Sequence, residues 1–104
     1  MTARILVVDD ENLTRRTLSV ALQDEGYEDE TAANGYEGFA ALDRSPADVV
    51  LTDLRMPSMD GLTFLEEVRR RAPYSAVIVM TAFASVDTAI QAMRLGAADY
   101  LTKP

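Results

Sequence analysis

Two residue types with much chemistry are missing from this chain: it has no cysteine and no histidine. Without cysteine there is no disulfide, no thiolate metal site and no thiol nucleophile. Without histidine the commonest general base and transition-metal ligand are gone. A metal bound here must be held by oxygen, which points to Mg²⁺, Mn²⁺ or Ca²⁺. Positive charge is also scarce, with 10 Lys and Arg against 17 Asp and Glu and a net charge of −7. Such an acidic domain is ill suited to direct nucleic-acid binding and better suited to holding a cation. No apolar run approaches the ~20 residues of a membrane span, and the N-terminus shows no signal-peptide pattern. The expectation is a cytoplasmic protein with no membrane contact.

What remains is 104 residues, 48% hydrophobic and 26% charged, which suits one folded domain over 1–104. No linker, repeat or low-complexity tract interrupts it. Short apolar runs alternate with helical patterns. Ile5–Val8, Asp48–Thr52 and Ala76–Met80 read as strands buried on both faces, because they lack a polar side. Tyr27–Ala32 is charged and suits an edge strand, and Asp99–Thr102 reads as a short last strand. Between them, Leu13–Glu25, a segment opened by Asn34-Gly35, Gly61–Arg71 and Ser85–Leu95 carry apolar residues at helical spacing. Gly26, Ser45-Pro46, Pro73 and Gly96 supply the stops. Strands alternating with helices predict an open, doubly wound α/β parallel sheet with right-handed crossovers. Ligands bind such sheets outside the carboxyl ends of the strands.

Those ends carry the chemistry. Ile5–Val8 runs into Asp9 and Asp10, Val49–Thr52 into Asp53, Ala76–Met80 into Thr81, and the last strand into Lys103. Each has an ordinary alternative: Asp9, Asp10 or Asn12 as a helix cap, Thr81 as a β-branched strand residue, Lys103 as a solvated charge. Together they are harder to dismiss. Two carboxylates about 4 Å apart repel by about 4 kcal/mol at an effective dielectric near 20. Such a cluster raises a carboxylate pKa or recruits a cation, and Mg²⁺ suits a few carboxylates plus water. A carboxylate beside Mg²⁺, a lysine and a hydroxyl also suits phosphoryl transfer through an aspartyl phosphate, with no base needed if the attacking Asp is ionised.

The motifs "ILVVDDE", "VVLTDLRMPSMDG", "VIVMTAFAS" and "GAADYLTKP", in this order along the whole chain, resemble the receiver domain of a two-component response regulator. The segment "SVDTAIQAMRLGAADYLTKP" is most similar to receivers of the nitrogen-regulation type. The resemblance implies five parallel strands in the order 2-1-3-4-5. It implies Asp53 as phosphoacceptor, with Asp10, Asp53 and the backbone carbonyl of Arg55 on Mg²⁺ and Asp9 acting largely through water. Thr81 would bond the phosphoryl group, Lys103 would pair with it, and Tyr100 would be an aromatic switch moving inward with Thr81. For Tyr100 alone, simple packing is the ordinary reading. A cis Lys103–Pro104 bond is expected. A sensor histidine kinase and an output domain, transcriptional in character, are the implied partners, and a homodimer is compatible.

Arg55 and Phe83, each two residues past a site residue, should flank the path of a hydrolytic water. Slow autodephosphorylation is expected, and a phosphoryl half-life of seconds would contradict it. Receivers carry a fifth helix after Lys-Pro, absent here, so the chain is expected to be a fragment or to have that face covered by another molecule. Competing readings are a Mg²⁺-dependent aspartyl-phosphate phosphatase or phosphotransferase, a receiver module of a hybrid kinase, a flavodoxin-like cofactor binder and a pseudo-receiver. The first would commonly place a second carboxylate where Arg55 stands. The third would need a Gly/Ser/Thr-rich loop in place of the acidic "VVDDENLT". The full acidic set argues against a pseudo-receiver.

Overall fold

A computed structural model describes residues 2–103. Among these, five strands and four helices alternate: β1 Arg4–Val8, α1 Asn12–Asp24, β2 Glu28–Ala32, α2 Gly35–Arg44, β3 Val49–Thr52, α3 Gly61–Arg71, β4 Ala76–Thr81, α4 Val86–Arg94 and β5 Asp99–Thr102. All strand pairs are parallel, and the order is β2-β1-β3-β4-β5. The doubly wound expectation therefore holds, and so does its strand order.

Local chemistry explains most of the boundaries. Asn34, Asp60 and Ser85 each accept a hydrogen bond from the N–H three residues on, opening α2, α3 and α4. Glu37 reaches back to the Ala33 N–H at 3.0 Å, a reciprocal arrangement that closes the α2 entry. Gly26 and Gly96 follow α1 and α4 at φ 88° and 101°, which a side chain would resist. At helix α1 the cap alternatives fall away. Its cap position is Glu11, which makes no side-chain cap bond, so none of Asp9, Asp10 and Asn12 serves. The reason is that Asp9 turns its carboxylate to the Glu11 N–H at 2.9 Å, bracing the turn before the helix.

The core lies on one face of the sheet. Leu6, Val8, Val50, Thr52, Val77 and Val79 alternate onto it and meet Phe64, Leu65 and Val68 of α3 and Phe39 of α2. Phe39 and Phe64 stack at 5.0 Å. On the other face only the β1 residues are well covered. Leu51, Ile78 and Met80 are half-buried there, so β3 and β4 alternate in burial rather than being buried on both sides. The expectation of doubly buried strands holds for β1 alone of the three, because α1 packs on β1 and β2.

Candidate metal centre at the carboxyl edge of the sheet

Register brings the site together. Val8 pairs with Thr52, so the next residues, Asp9 and Asp53, stand side by side. Each still joins the ladder, Asp53 N–H to the Val8 carbonyl at 2.9 Å and Asp9 N–H to the Ala32 carbonyl at 3.0 Å. Thr81 pairs with Thr102, and the Lys103 N–H donates to the Thr81 carbonyl at 2.9 Å. Beyond the edge, the chain turns from β1 to one face and from β3 to the other, opening a crevice at the switch in strand order.

Close packing below the crevice depends on Gly61. A Cβ there would lie 2.1 Å from the Asp53 carbonyl oxygen, so any side chain would push the β3–α3 turn away. The Leu54 carbonyl accepts from the Gly61 N–H at 2.7 Å, closing that turn onto α3. Leu54 in turn donates its N–H to Asp53 Oδ1 at 2.7 Å. One face of the Asp53 carboxylate is thereby oriented by its own loop.

Asp9, Asp10 and Asp53 each offer a carboxylate oxygen within 4.8 Å of the others. Oxygens sharing one Mg²⁺ at about 2.1 Å are at most about 4.2 Å apart, so the three lie close to the spacing that one ion would impose. Three hard oxygen donors and no sulfur or imidazole fit a hard divalent cation. Asp9 and Asp53 are buried, whereas Asp10 is exposed. Lys103 Nζ lies 2.7 Å from Asp9 Oδ2 and 3.2 Å from Asp53 Oδ2. Burial raises the Asp53 carboxyl pKa above its ordinary value, and the charge of Asp9 adds to this, while Lys103 opposes both. For Lys103 burial is the largest influence and acts downward. The bond to Asp9 and the charges of Asp53 and Asp9 outweigh it and leave the ammonium pKa raised.

The remaining expected residues stand around this centre. Thr81 is fully buried, and its hydroxyl accepts from the Phe83 N–H at 3.0 Å. Arg55 is exposed, and its guanidinium lies 4.7 Å above the Phe83 ring, joining the two loops that flank Asp53. Tyr100 is half-buried at some remove from the acids. Its hydroxyl meets Thr88 Oγ1 at 2.6 Å and accepts from the Ser85 N–H at 3.4 Å, at the start of α4. The expected cis Lys103–Pro104 bond lies outside the described residues. Two neighbours escaped the sequence reading. Glu11 approaches Lys103 at 3.6 Å. Arg15, in the first turn of α1, donates to the Asp9 carbonyl at 2.6 Å.

Residues 5–104 match the family model of the response regulator receiver domain. The chain is 48% identical over 101 residues to the regulatory protein AtoC of Escherichia coli strain K12, covering 97% of this chain and 22% of AtoC. It is 45% identical over 100 residues to the DNA-binding transcriptional regulator NtrC of Salmonella typhimurium, covering 96% of this chain and 21% of NtrC. It thus spans about a fifth of the length of these relatives. Among solved structures it is similar to the response regulator protein TrrA of Thermotoga maritima in complex with Mg²⁺ and BeF. The TM-score is 0.89 at 35% identity, covering 99% of this chain and 88% of that one.

Proposed function

Since this chain belongs to the response regulator receiver domain family, we propose that it is the phosphorylation switch of a two-component system and that Asp53 is its phosphoacceptor. One observation carries the assignment: Asp53 is buried beside Asp9 and the ammonium of Lys103 at the carboxyl edge of the sheet, with Asp10 in reach. Kinship with AtoC and NtrC fits the nitrogen-regulation type. The output is then transcriptional, the phosphoryl donor is a sensor histidine kinase, and this module works in the cytoplasm.

In this reading an Asp53 carboxylate oxygen attacks phosphorus. The new O–P bond forms as the bond from phosphorus to the donor nitrogen breaks, and the electron pair stays on that nitrogen. Lys103, already 3.2 Å from Asp53, pairs with a phosphoryl oxygen. Thr81 turns its hydroxyl from the Phe83 N–H toward another, and Tyr100 leaves Thr88 to fill the space behind it. Asp10, Asp53 and the Arg55 carbonyl would hold Mg²⁺, and Asp9 would act on it largely through water. Mn²⁺ or Ca²⁺ fits the same oxygen set. The bound ion supplies neutralisation of charge on the phosphoryl oxygens.

The module catalyses only its own phosphorylation and dephosphorylation. An aspartyl-phosphate phosphatase would want a carboxylate acid/base where Arg55 instead stacks on Phe83. Homodimerisation is compatible with exposed Val86, Ile90 and Met93 on α4. The half-buried outer face of β3 and β4 suits cover by a further helix in a longer chain, and unchanged amide exchange of Leu51 and Ile78 in such a chain would contradict that cover.

Acetyl phosphate with Mg²⁺ should add one phosphoryl group, read by intact mass. Asp53→Asn should abolish the gain, and omission of Mg²⁺ should suppress it. An adduct that survives Asp53→Asn would sink the assignment.

A further inference from the structure

Asp9 is held at every polar group it has. Its N–H donates to the Ala32 carbonyl at 3.0 Å. Its Oδ1 accepts from the Glu11 N–H at 2.9 Å, and its Oδ2 from Lys103 at 2.7 Å. Its carbonyl accepts from Arg15 Nη1 at 2.6 Å. Three of these four restraints come from the sheet, from the turn itself or from Lys103, which the phosphoryl chemistry already uses. The fourth comes from α1.

Arg15 is half-buried, and its second nitrogen reaches Asn12 Oδ1 at 3.3 Å, so one planar fork spans the end of β1 and the start of α1. That matters because α1 opens without a side-chain cap. The turn of Asp9, Asp10 and Glu11 packs three acids before an uncapped helix, and mutual repulsion would spread it. Asp10, being exposed, depends on the course of this turn for its aim at Asp53.

We propose that Arg15 is a positioning residue of the cation centre, fixing the β1–α1 turn through the Asp9 carbonyl so that Asp10 and Asp53 converge on one ion. This rests on the metal reading above. The guanidinium acts through the Asp9 carbonyl and the Asn12 side chain.

The sign of the effect separates this role from simple electrostatics. Arg15 is a cation near three carboxylates. If charge were all that mattered, removing it would tighten Mg²⁺ binding. If it positions the turn, removing it weakens binding, and loss of such an outer partner typically costs 10–100-fold in metal affinity. Mg²⁺ titration of the chain by calorimetry, with circular dichroism to verify the fold, reads this directly. Arg15→Gln should bind Mg²⁺ at least about tenfold more weakly. Arg15→Lys keeps the charge but has no planar fork to span Asp9 and Asn12, and should also bind more weakly than wild type. It carries the test should Arg15→Gln not fold. Unchanged or tighter binding in a folded variant overturns the proposal. Wild type that binds no Mg²⁺ overturns the metal reading itself, and this inference with it.

Discussion

The two faces of the sheet are built differently. Under α2, α3 and α4, Val50, Phe64, Leu65, Val68, Val77 and Val79 are fully excluded from solvent. Each such side chain contributes about 1.5–3 kcal/mol relative to exposure. Under α1, no helix residue is fully buried, and Leu13 and Val20 stand 76% and 58% exposed. One face holds the fold together, and the other carries surface at little cost. The site sits between them. Asp53 and Thr81 lead into loops on the packed face, and Asp9 and Asp10 lead into the lightly held α1. Asp53, on the packed side, thus faces acids whose turn is tied by hydrogen bonds from Arg15 and Lys103 to Asp9.

The contrast can be broken most severely from the packed face. Phe64→Ala removes a ring that touches Phe39 and lies at the centre of the core, and should cost about 3–5 kcal/mol, measured by urea unfolding. That is a large share of the 5–15 kcal/mol typical of a domain. A loss below about 1 kcal/mol would mean that the two faces share the load.

A smaller effect of opposite sign is expected at the edge. The Asp53 pKa is raised in the fold by burial and by Asp9. A raised carboxyl stabilises the fold fully only below its unfolded value of 3.8, and this contribution is lost as pH rises through the folded value. At neutral pH without divalent cation, ionised Asp53 therefore works against folding, and Asp53→Asn should raise the melting temperature. The gain should shrink as pH falls toward 4 and the wild-type acid protonates. Saturating Mg²⁺ should reverse the order, since an ion at 100 times its Kd adds about 2.7 kcal/mol to the protein that binds it. A melting temperature of Asp53→Asn at or below wild type without cation would show that Lys103 outweighs burial.

The smallest effect belongs to the open face. Leu13→Ala should change stability by no more than about 0.5 kcal/mol, because the side chain is already mostly in water. A loss comparable to that of Phe64→Ala would erase the distinction between the faces.

Much of this molecule was legible in its residues. Strand and helix alternation, the stops at Gly26 and Gly96, and the acids, hydroxyl and lysine at successive strand ends follow from pattern and turn chemistry. Their convergence also follows, because a parallel sheet puts all carboxyl ends on one edge. Less legible was how the edge is wired. The cap of α1 stayed open among three candidates within four residues, because the outcome turns on where Asp9 sends its carboxylate. Arg15 reads as one of two adjacent arginines on a polar helix, with nothing in the pattern to prefer it over Arg16. The stacking of Arg55 on Phe83 and the hydroxyl contact of Tyr100 with Thr88 join residues that are 28 and 12 positions apart.

By itself, then, the sequence determined the order of elements, the composition of the site and the class of ion it can hold. These depend on local periodicity and donor chemistry, which neighbouring residues express without reference to the rest of the chain. Tertiary structure alone decided which acids pair with Lys103, which arginine bonds the Asp9 carbonyl, and that only one sheet face is sealed. Those outcomes depend on strand register and on which helix lies over which strand, and distances of that kind exist only once the chain has closed on itself.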